Sequence, residues 1–383
     1  TAEATGPWAA LAMLVNNAAP LLARRVRQRW RSDPSALAPA IDPHGDCGGL
    51  DREARLAYAR ALFTLTGLDP QMPLIILAGH RGEARNNPYA AALDCGACAG
   101  HGGAPNARAL AAILNDPEVR GALAMPKDGY ALAAEHNTTT DEVTLFDTDK
   151  VPAALRDRID QIRCDLDRAG RSVRQIRAGT LGRAVDDLER GAAHWGEVRP
   201  EWGLAGNAAF IVASRERTRA IDLEGRAFLH SYDWRSDRDG EALATILTAP
   251  MVVAQWINCQ YLFSTLDNDR YGAGDKTVHN PVGRIGVVRG NGGDLAVGLP
   301  RQSLFDDEGV PAHVPQRLLT IVEAPLDRIG EVIDAHPVLQ RLFGNEWVHL
   351  VAIDPETGAA RRWRADTETR GRNWPSQPES ENE

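Results

Sequence analysis

Hydrophobic residues occur along the chain in two patterns, short continuous runs and longer stretches with helical periodicity. Continuous apolar runs bounded by Gly, Pro or polar residues are typical of buried strands. We therefore predict strands at residues 73–79, 143–146, 210–213, 227–232, 285–288, 318–322 and 347–353. The longer stretches predict helices at residues 7–31, 51–66, 106–114, 152–176, 182–195 and 240–266. Strands that alternate with helices indicate an α/β protein with a mainly parallel sheet flanked by helices.

Changes in composition divide the chain into four parts. Residues 1–50 combine a basic helix with a linker rich in Pro and Gly, and residues 51–150 hold a strand, a loop rich in Gly and Cys, and a helix. Residues 151–365 contain a helical insertion and further α/β elements. The polar residues 366–383 are expected to form a disordered tail.

Composition and charge exclude several classes of protein. The 383 residues carry 43 Lys and Arg against 52 Asp and Glu, a net charge of −9, which argues against a nucleic-acid-binding protein. No run of about 18 uncharged apolar residues is present, so we expect no membrane span, and the apolar stretch at 240–266, interrupted at Pro250, is expected in the core. Five cysteines, an odd and thinly spread set, are not a secreted disulfide framework and favour a cytoplasmic chain.

The densest group of chemically reactive side chains follows the first predicted strand. His80, Cys95, Cys98 and His101 fall within 22 positions, and thiolate and imidazole are the donors that zinc prefers. In parallel sheets, ligands bind beyond the carboxyl ends of strands, which is where His80 lies. From spacing alone, Cys95 and Cys98 could instead be a redox pair, and the group could be structural.

Taken together, several strings resemble the DabA subunit family of inorganic carbon accumulation systems. The resemblance covers about residues 50 to 355, and its uncommon strings occur in the order of the family. They are GH at 79–80, NNP at 86–88, LDCGAC at 93–98, PNAR at 105–108, HNTTTD at 136–141, RPEWGL at 199–204, FLHSY at 228–232, QWIN at 255–258, YGAG at 271–274 with Lys276, HN at 279–280 and GLPRQS at 298–303.

The resemblance implies a core similar to β-carbonic anhydrases, with additional α+β elements, and a Zn²⁺ site. It places two zinc ligands at His80 and Cys95, whereas Cys98 belongs to the motif without being a ligand. The family normally has Gly where this chain has Arg81. Its other ligands are a Cys and an Asp from an upstream C-x-D motif, which this sequence does not contain. We expect that motif in a preceding part of a longer protein; the alternative is completion of the site by Asp94, Cys98, His101 or Cys47.

The function implied by the resemblance is hydration of CO₂ to bicarbonate in an energy-coupled uptake complex. The implied partner is a DabB-type membrane subunit that conducts protons or cations, and the implied location is peripheral, on the cytoplasmic side of the inner membrane. The chain is expected to act as an enzyme only when complete and coupled to that partner. Two alternatives stay open: a non-catalytic zinc-binding scaffold of a membrane complex, and a generic zinc hydrolase. A closed site with four protein ligands would favour the scaffold.

Overall fold

The computed structural model describes most of the chain. The described residues are 2–30, 39–41, 48–83, 102–180, 183–194, 206–271 and 316–365, with short pieces at 288–289, 294–295, 299, 304–305, 308–311, 314 and 372–373.

Helices and strands alternate through the described residues. The helices are α1 (Ala2–Ala18), α2 (Pro20–Trp30), α3 (Arg52–Thr66), α4 (Ala104–Asn115), α5 (Pro117–Ala122), α6 (Arg156–Thr180), α7 (Val185–Ala193), α8 (Glu241–Thr248), α9 (Pro250–Tyr271), α10 (Leu326–Ala335) and α11 (Pro337–Gly344). The strands are β1 (Leu74–Arg81), β2 (Tyr130–Asn137), β3 (Glu142–Leu145), β4 (Ala209–Ala213), β5 (Ala227–Ser231), β6 (Val288–Arg289), β7 (Asp294–Leu295), β8 (Leu318–Glu323), β9 (Val348–Ile353), β10 (Ala360–Arg362), β11 (Arg364–Ala365) and β12 (Arg372–Asn373).

The chain divides into two compact units. The first comprises Thr1–Ala59, Pro70–Leu204 and Gly274–Ala312, and the second comprises Arg60–Asp69, Ala205–Ala273 and His313–Glu383. The boundaries predicted from composition stay predictions. Most of the predicted tail, residues 366–371 and 374–383, lies outside the described residues.

The first unit contains a three-stranded sheet in the order β1-β2-β3. The pairing of β1 with β2 is parallel, whereas β3 returns antiparallel beside β2 after a four-residue turn. Even-numbered residues of β1 and β2 face α6, where Leu74, Ile76 and Leu132 pack with Ile159 and Ile162. Helix α4 packs against the same two strands, and it begins beside the odd-numbered Glu135. The two helices therefore cover opposite faces of this small sheet.

The second unit is built on a five-stranded sheet in the order β10-β9-β8-β4-β5. The central pairings are parallel, and β10 is antiparallel to β9 at one edge. Its core combines side chains of β4, β8 and β9 with those of α8, α10 and α11, among them Val212, Leu243, Leu318, Phe343 and Leu350.

The predicted α/β class is confirmed, with mixed sheets. The larger sheets each carry an antiparallel edge strand because a short turn leads directly into β3 and into β10, and a short turn can join only antiparallel neighbours. The single helix predicted at residues 7–31 is two helices, since Pro20 lacks an N–H and begins α2. Strand β2 was not predicted.

The apolar stretch Glu241–Asn268 is long and apolar enough, among the described residues, to cross a membrane by length and composition alone. The sequence had predicted no span. Half of an apolar 18-residue window within the stretch is buried inside the structure, and Leu243, Leu247 and Met251 are fully enclosed in the second unit's core. A core helix of a soluble protein meets the same criteria, so this finding is weak evidence for a span.

Replacement of Leu243 by Ala tests the burial of α8. Leu243 is fully buried, so Leu243→Ala is expected to lower the free energy of unfolding by about 2–5 kcal/mol. The matched variant Leu266→Ala, at a position that is 63% exposed on α9, is expected to change it by less than about 0.5 kcal/mol. Urea denaturation measures both, and equal losses would contradict a core position for α8.

Candidate functional site

The parallel strands β1 and β2 end together, with Gly79-His80-Arg81 beside Glu135-His136-Asn137. Their register pairs Gly79 with Glu135, His80 with His136 and Arg81 with Asn137. Paired residues of neighbouring strands project to the same face, and successive residues alternate. The two imidazoles therefore share the face covered by α6, whereas the charged and amide side chains share the opposite face. This strand end is the position at which α/β sheets bind ligands.

Two glycines bring the start of α4 onto the end of β1. The Gly103 N–H donates to the His80 carbonyl oxygen at 2.8 Å, and a Cβ on Gly103 would lie only 2.8 Å from Gly79 Cα. Any side chain at either glycine would push the helix away from the strand. The Glu135 carboxylate accepts from Ala104 N–H at 3.0 Å, so a negative charge lies at the N-terminus of α4.

The turn between β2 and β3, residues 138–141, is a buried polar segment. Asp141, which is 3% exposed, takes a left-handed backbone conformation with φ of 56°. Its Oδ1 lies 3.2 Å from His136 Nε2, and its Oδ2 lies 3.0 Å from Arg177 Nη1 on α6. Burial lowers the pKa of Arg177, and the charge of Asp141 partly offsets this effect. The carboxylate thus joins the imidazole on β2 to a guanidinium on α6.

Helix α6 also donates hydrogen bonds to carbonyl oxygens of this turn. Arg174 donates to the Thr140 carbonyl at 2.8 Å, and Arg177 donates to the Thr138 carbonyl at 3.1 Å. A Cβ at Gly170 would overlap with the Asp141 carbonyl oxygen, so glycine allows the helix to approach the turn closely. The string HNTTTD, at residues 136–141, is thus the end of a strand followed by a turn that is held by α6.

Arg24 of α2 is the centre of a second polar cluster. Its guanidinium binds Glu83 at 2.8 Å, Glu142 at 2.9 Å and Glu189 at 3.0 Å. Burial alone would raise the pKa of Glu142, but the hydrogen bond and charge of Arg24, with smaller contributions from Thr140 and Arg174, lower it below its ordinary value. Burial likewise disfavours the charged Arg24, yet its carboxylate neighbours raise its pKa.

A cavity of about 510 Å³ lies beside this cluster. Side chains from the odd-numbered face of the sheet line it, namely Arg81, Glu135 and Asn137, together with Arg24 and Glu142. Among the described residues its lining has five carboxylates and three guanidinium groups. This excess of negative charge disfavours an anion such as bicarbonate, and Arg24 acts as an internal counter-ion.

His80 is the predicted zinc ligand that the structure describes. Its side chain is exposed at the end of β1, where His80 is paired with His136 of the neighbouring strand β2. The other predicted ligand, Cys95, lies outside the described residues, as do the alternative ligands Asp94, Cys98, His101 and Cys47. Among the residues that the structure does describe, no group of three or more His, Cys, Asp or Glu side chains could hold a metal ion. The predicted ligand pair therefore stays a prediction.

Sequence reasoning missed His136 as a neighbour of His80. The string HNTTTD belongs to the family resemblance, but the sequence does not predict β2, so it gives no reason to place His136 beside His80. The apolar run at residues 130–134, which ends directly before Glu135-His136, was the available signal.

The sequence matches the family model described as "Probable inorganic carbon transporter subunit DabA" over residues 1–348. The chain belongs to the DabA family. Curated relatives with the same description are similar to most of the chain, which supports this membership. The protein of Novosphingobium aromaticivorans is 55% identical over 376 residues, covering 94% of this chain and 44% of that protein. The protein of Legionella pneumophila strain Philadelphia 1 is 48% identical over 372 residues, covering 93% and 48%.

The similarity extends to an archaeal DabA relative. The protein of Haloarcula marismortui is 50% identical over 316 residues, covering 80% of this chain and 39% of that protein. The chain thus spans less than half the length of each of these relatives. No solved structure matches the chain.

Replacement of Arg24 by Gln tests the charge cluster. Arg24→Gln leaves Glu83, which is 19% exposed, without its counter-ion, so we expect a loss of roughly 1–3 kcal/mol in unfolding free energy at pH 7. Because the pKa of Glu142 is lowered in the folded state, the cluster stabilises the fold above about pH 4.3 and this contribution is lost as pH falls through the lowered pKa.

The control for Arg24→Gln is Arg219→Gln. Arg219 pairs with Glu216 on the surface, where the side chains are 76% and 74% exposed, so this change is expected to have almost no effect. Urea denaturation at pH 7 and at about pH 3 measures both. The prediction is wrong if the two variants lose equal stability, or if the effect of Arg24→Gln is as large in acid as at neutral pH.

Replacement of Gly103 by Ala tests the glycine contact. The added methyl group would overlap with Gly79 Cα and His80 N, so Gly103→Ala is expected to destabilise the protein by about 2 kcal/mol. The control Gly121→Ala adds a Cβ with no atom within 4 Å in α5, where Ala is favoured over Gly by up to about 1 kcal/mol. Thermal denaturation should separate them, and similar melting temperatures would argue against the close approach.

Proposed function

We propose that this chain is part of a zinc-dependent subunit that hydrates CO₂ to bicarbonate in an energy-coupled uptake complex. The observation that carries the proposal is the position of His80, exposed at the carboxyl end of a parallel strand in a member of the DabA family. The family's description names an inorganic carbon transporter subunit, and CO₂ and bicarbonate are the inorganic carbon species that such a system handles at neutral pH.

One described residue, His80, supplies a donor group that zinc prefers. Imidazole is a preferred zinc donor, and the packing of Gly103 on Gly79 keeps side chains away from the backbone beneath His80. His80 and Cys95 would hold the ion. Zinc, when bound, supplies hydroxide at neutral pH because it lowers the pKa of water to about 7.

The described residues fix the position of His80 and set the charge on the two faces of the sheet. The ladder between β1 and β2 fixes the backbone of His80, and the hydrogen bond from Gly103 fixes its carbonyl group. Negative charge is concentrated on the odd-numbered face, in the cavity with Arg24. Since that cavity disfavours anions, we place the bicarbonate product on the imidazole face of the sheet.

Coupling requires a membrane partner, because hydration alone is reversible and cannot accumulate bicarbonate. A transporter subunit suggests a complex with other subunits and association with a membrane. We propose a DabB-type subunit that conducts protons or cations as the partner, with this chain peripheral on the cytoplasmic side of the inner membrane. A core similar to β-carbonic anhydrases, with further α+β elements, belongs to the same proposal.

Growth and metal content together test the proposed function. The protein, as its gene encodes it, is expressed with its membrane partner in a bacterium that needs elevated CO₂. His80→Ala and Cys95→Ala are expected to remove zinc and growth in air, because each removes a ligand, whereas Cys98→Ala should have a milder effect. His349→Ala, on β9 in the second unit, is the matched control and should retain both.

The combined result separates the alternatives. Zinc that is bound without any support of growth or hydration would favour a non-catalytic scaffold. Hydrolysis of a substrate larger than CO₂ would favour a generic zinc hydrolase. Full zinc content and growth in the His80→Ala variant would overturn the proposal, and a larger effect of Cys98→Ala than of Cys95→Ala would overturn the ligand assignment.

A further inference from the structure

Helix α1 is apolar around its whole circumference and is largely uncovered. Its 17 residues include a single charged residue, Glu3. The side chains of Trp8, Leu11 and Leu14 are 73%, 51% and 63% exposed. At 3.6 residues per turn, these three and Met13 lie on four different sides of the helix. A helix that is apolar on all sides is normally enclosed by other parts of a protein.

The uncovered apolar surface continues onto α2. Leu22 and Val26, one helical turn apart, are 55% and 49% exposed. The apolar surface comprises Trp8, Leu11, Met13, Leu14, Leu22 and Val26. A patch of this kind on a protein surface marks an interaction site. We propose that this apolar surface is the docking site of the part of the DabA polypeptide that lies outside this chain.

Helix α2 is fixed to the first unit, so the apolar surface has a defined position. Arg24 binds Glu83, which follows β1, and Glu189 of α7. Arg27 of α2 donates a hydrogen bond to Asn16 Oδ1 near the end of α1. The ion pairs hold α2 against the unit, and the hydrogen bond joins α1 to α2.

Helix α1 has little stability of its own. Pro7 lies inside it and removes a backbone N–H donor, and isolated helices of this length are close to marginal in water. Most of its stability must therefore come from packing. Val15 and Asn16 are half-buried, whereas residues 6–14 are exposed. The helix thus needs a further packing surface along most of its length.

The length of the DabA relatives favours the same polypeptide as the occupant of this surface. The matched region covers 44% of one relative and 48% of another, so more than half of each lies outside it. A second body of that size can enclose several sides of α1 at once, as an apolar helix requires.

A lipid surface fits α1 less well. A helix that lies on a membrane has a strongly polar face opposite its apolar face, and α1 has no such face. Among the described residues, the stretch that meets the criteria of a membrane span is Glu241–Asn268, not α1. Both membrane arrangements therefore explain the sequence of α1 less well than enclosure by protein does.

Docking on this surface would place the second part of the polypeptide near the candidate site. Arg24 of α2 binds Glu83 at 2.8 Å, and Glu83 is three residues beyond His80. A body that covers α2 therefore lies beside the end of β1. The inference rests on membership of the DabA family and on the apolar surface, and it does not depend on the proposed zinc chemistry.

Oxidation of methionines tests the docking in the wild-type protein. The protein, as its gene encodes it, is purified without its membrane partner and without lipid and is treated with hydrogen peroxide. Mass spectrometry follows sulfoxide formation at each methionine, and each rate is divided by the rate at the same residue in urea. Met13, which is 54% exposed in this chain, is expected to react about tenfold more slowly when folded, as does the buried Met251. Equal rates for Met13 in the folded and unfolded protein would overturn the proposal.

Other occupants of the surface give different results in the same assay. Protection of Met13 that disappears when the protein is diluted to a monomer would indicate a second copy of the protein. Protection that appears only with vesicles containing phosphatidylglycerol would indicate a lipid surface. Protection that appears only with the membrane subunit would indicate that subunit. Each of these three results would overturn the proposal.

A pair of variants tests whether the apolar contact causes the protection. Leu14→Glu places a charge in the contact, so it is expected to raise the rate at Met13 about tenfold while Met251 stays protected. The matched control Ile221→Glu, at a position that is 58% exposed in the second unit, should leave Met13 protected. Unchanged protection of Met13 in Leu14→Glu would argue against the docking. Loss of protection at Met251 would show that this variant has unfolded, and the wild-type measurement then decides.

The failure of this inference is distinguishable from that of the proposed function. If Met13 reacts freely while His80→Ala loses zinc and growth, only the docking is refuted. If Met13 is protected while His80→Ala keeps full zinc content and growth, the docking stands and the proposed function is refuted.

Discussion

The parallel pairing of β1 with β2 is the constraint on which the candidate site depends. It sets His80 beside His136 on one face and Arg81 beside Asn137 on the other. Because side chains alternate along a strand, a slip of one residue in either strand would transfer that strand's residues to the opposite face. The separation of imidazoles from the charged cavity is thus a property of the backbone ladder, and the side chains alone could not maintain it.

Two helices fix the end of this ladder from opposite sides. On one side, Glu135 receives the first N–H of α4, and Gly103 lies against Gly79. On the other, Arg174 and Arg177 of α6 bind carbonyl groups of the turn that follows β2. Each contact satisfies a backbone group that a strand end or a helix end would otherwise leave without a partner. The polar residues around His80 are therefore structural, and changes to them will affect the stability of this strand end.

The sequence predicted the elements whose local chemistry is distinctive and missed those that depend on distant partners. Strands β1, β8 and β9 are rich in Leu, Ile and Val, and all three were predicted. Strand β2 contains three alanines within eight residues, and alanine is depleted in strands, so its burial between two helices and its pairing with β1 explain its conformation. His80 was found from the motif at a strand end, whereas its pairing with His136 required the sheet register. The three carboxylates that bind Arg24 lie 59 to 165 positions away in sequence, beyond the reach of any local pattern.

The apolar helices α8 and α9 have a consequence for synthesis of the protein. Strands β8 and β9, which complete the core around Leu243 and Leu247, begin at Leu318 and Val348, well after both helices have left the ribosome. Until then a stretch that meets the length and composition criteria of a membrane segment lacks part of its cover. Folding of the second unit therefore competes with aggregation and with the cell's membrane-insertion machinery during translation. A chain that stops before Leu318 would be a substrate for chaperones or proteases, whatever the state of the candidate site.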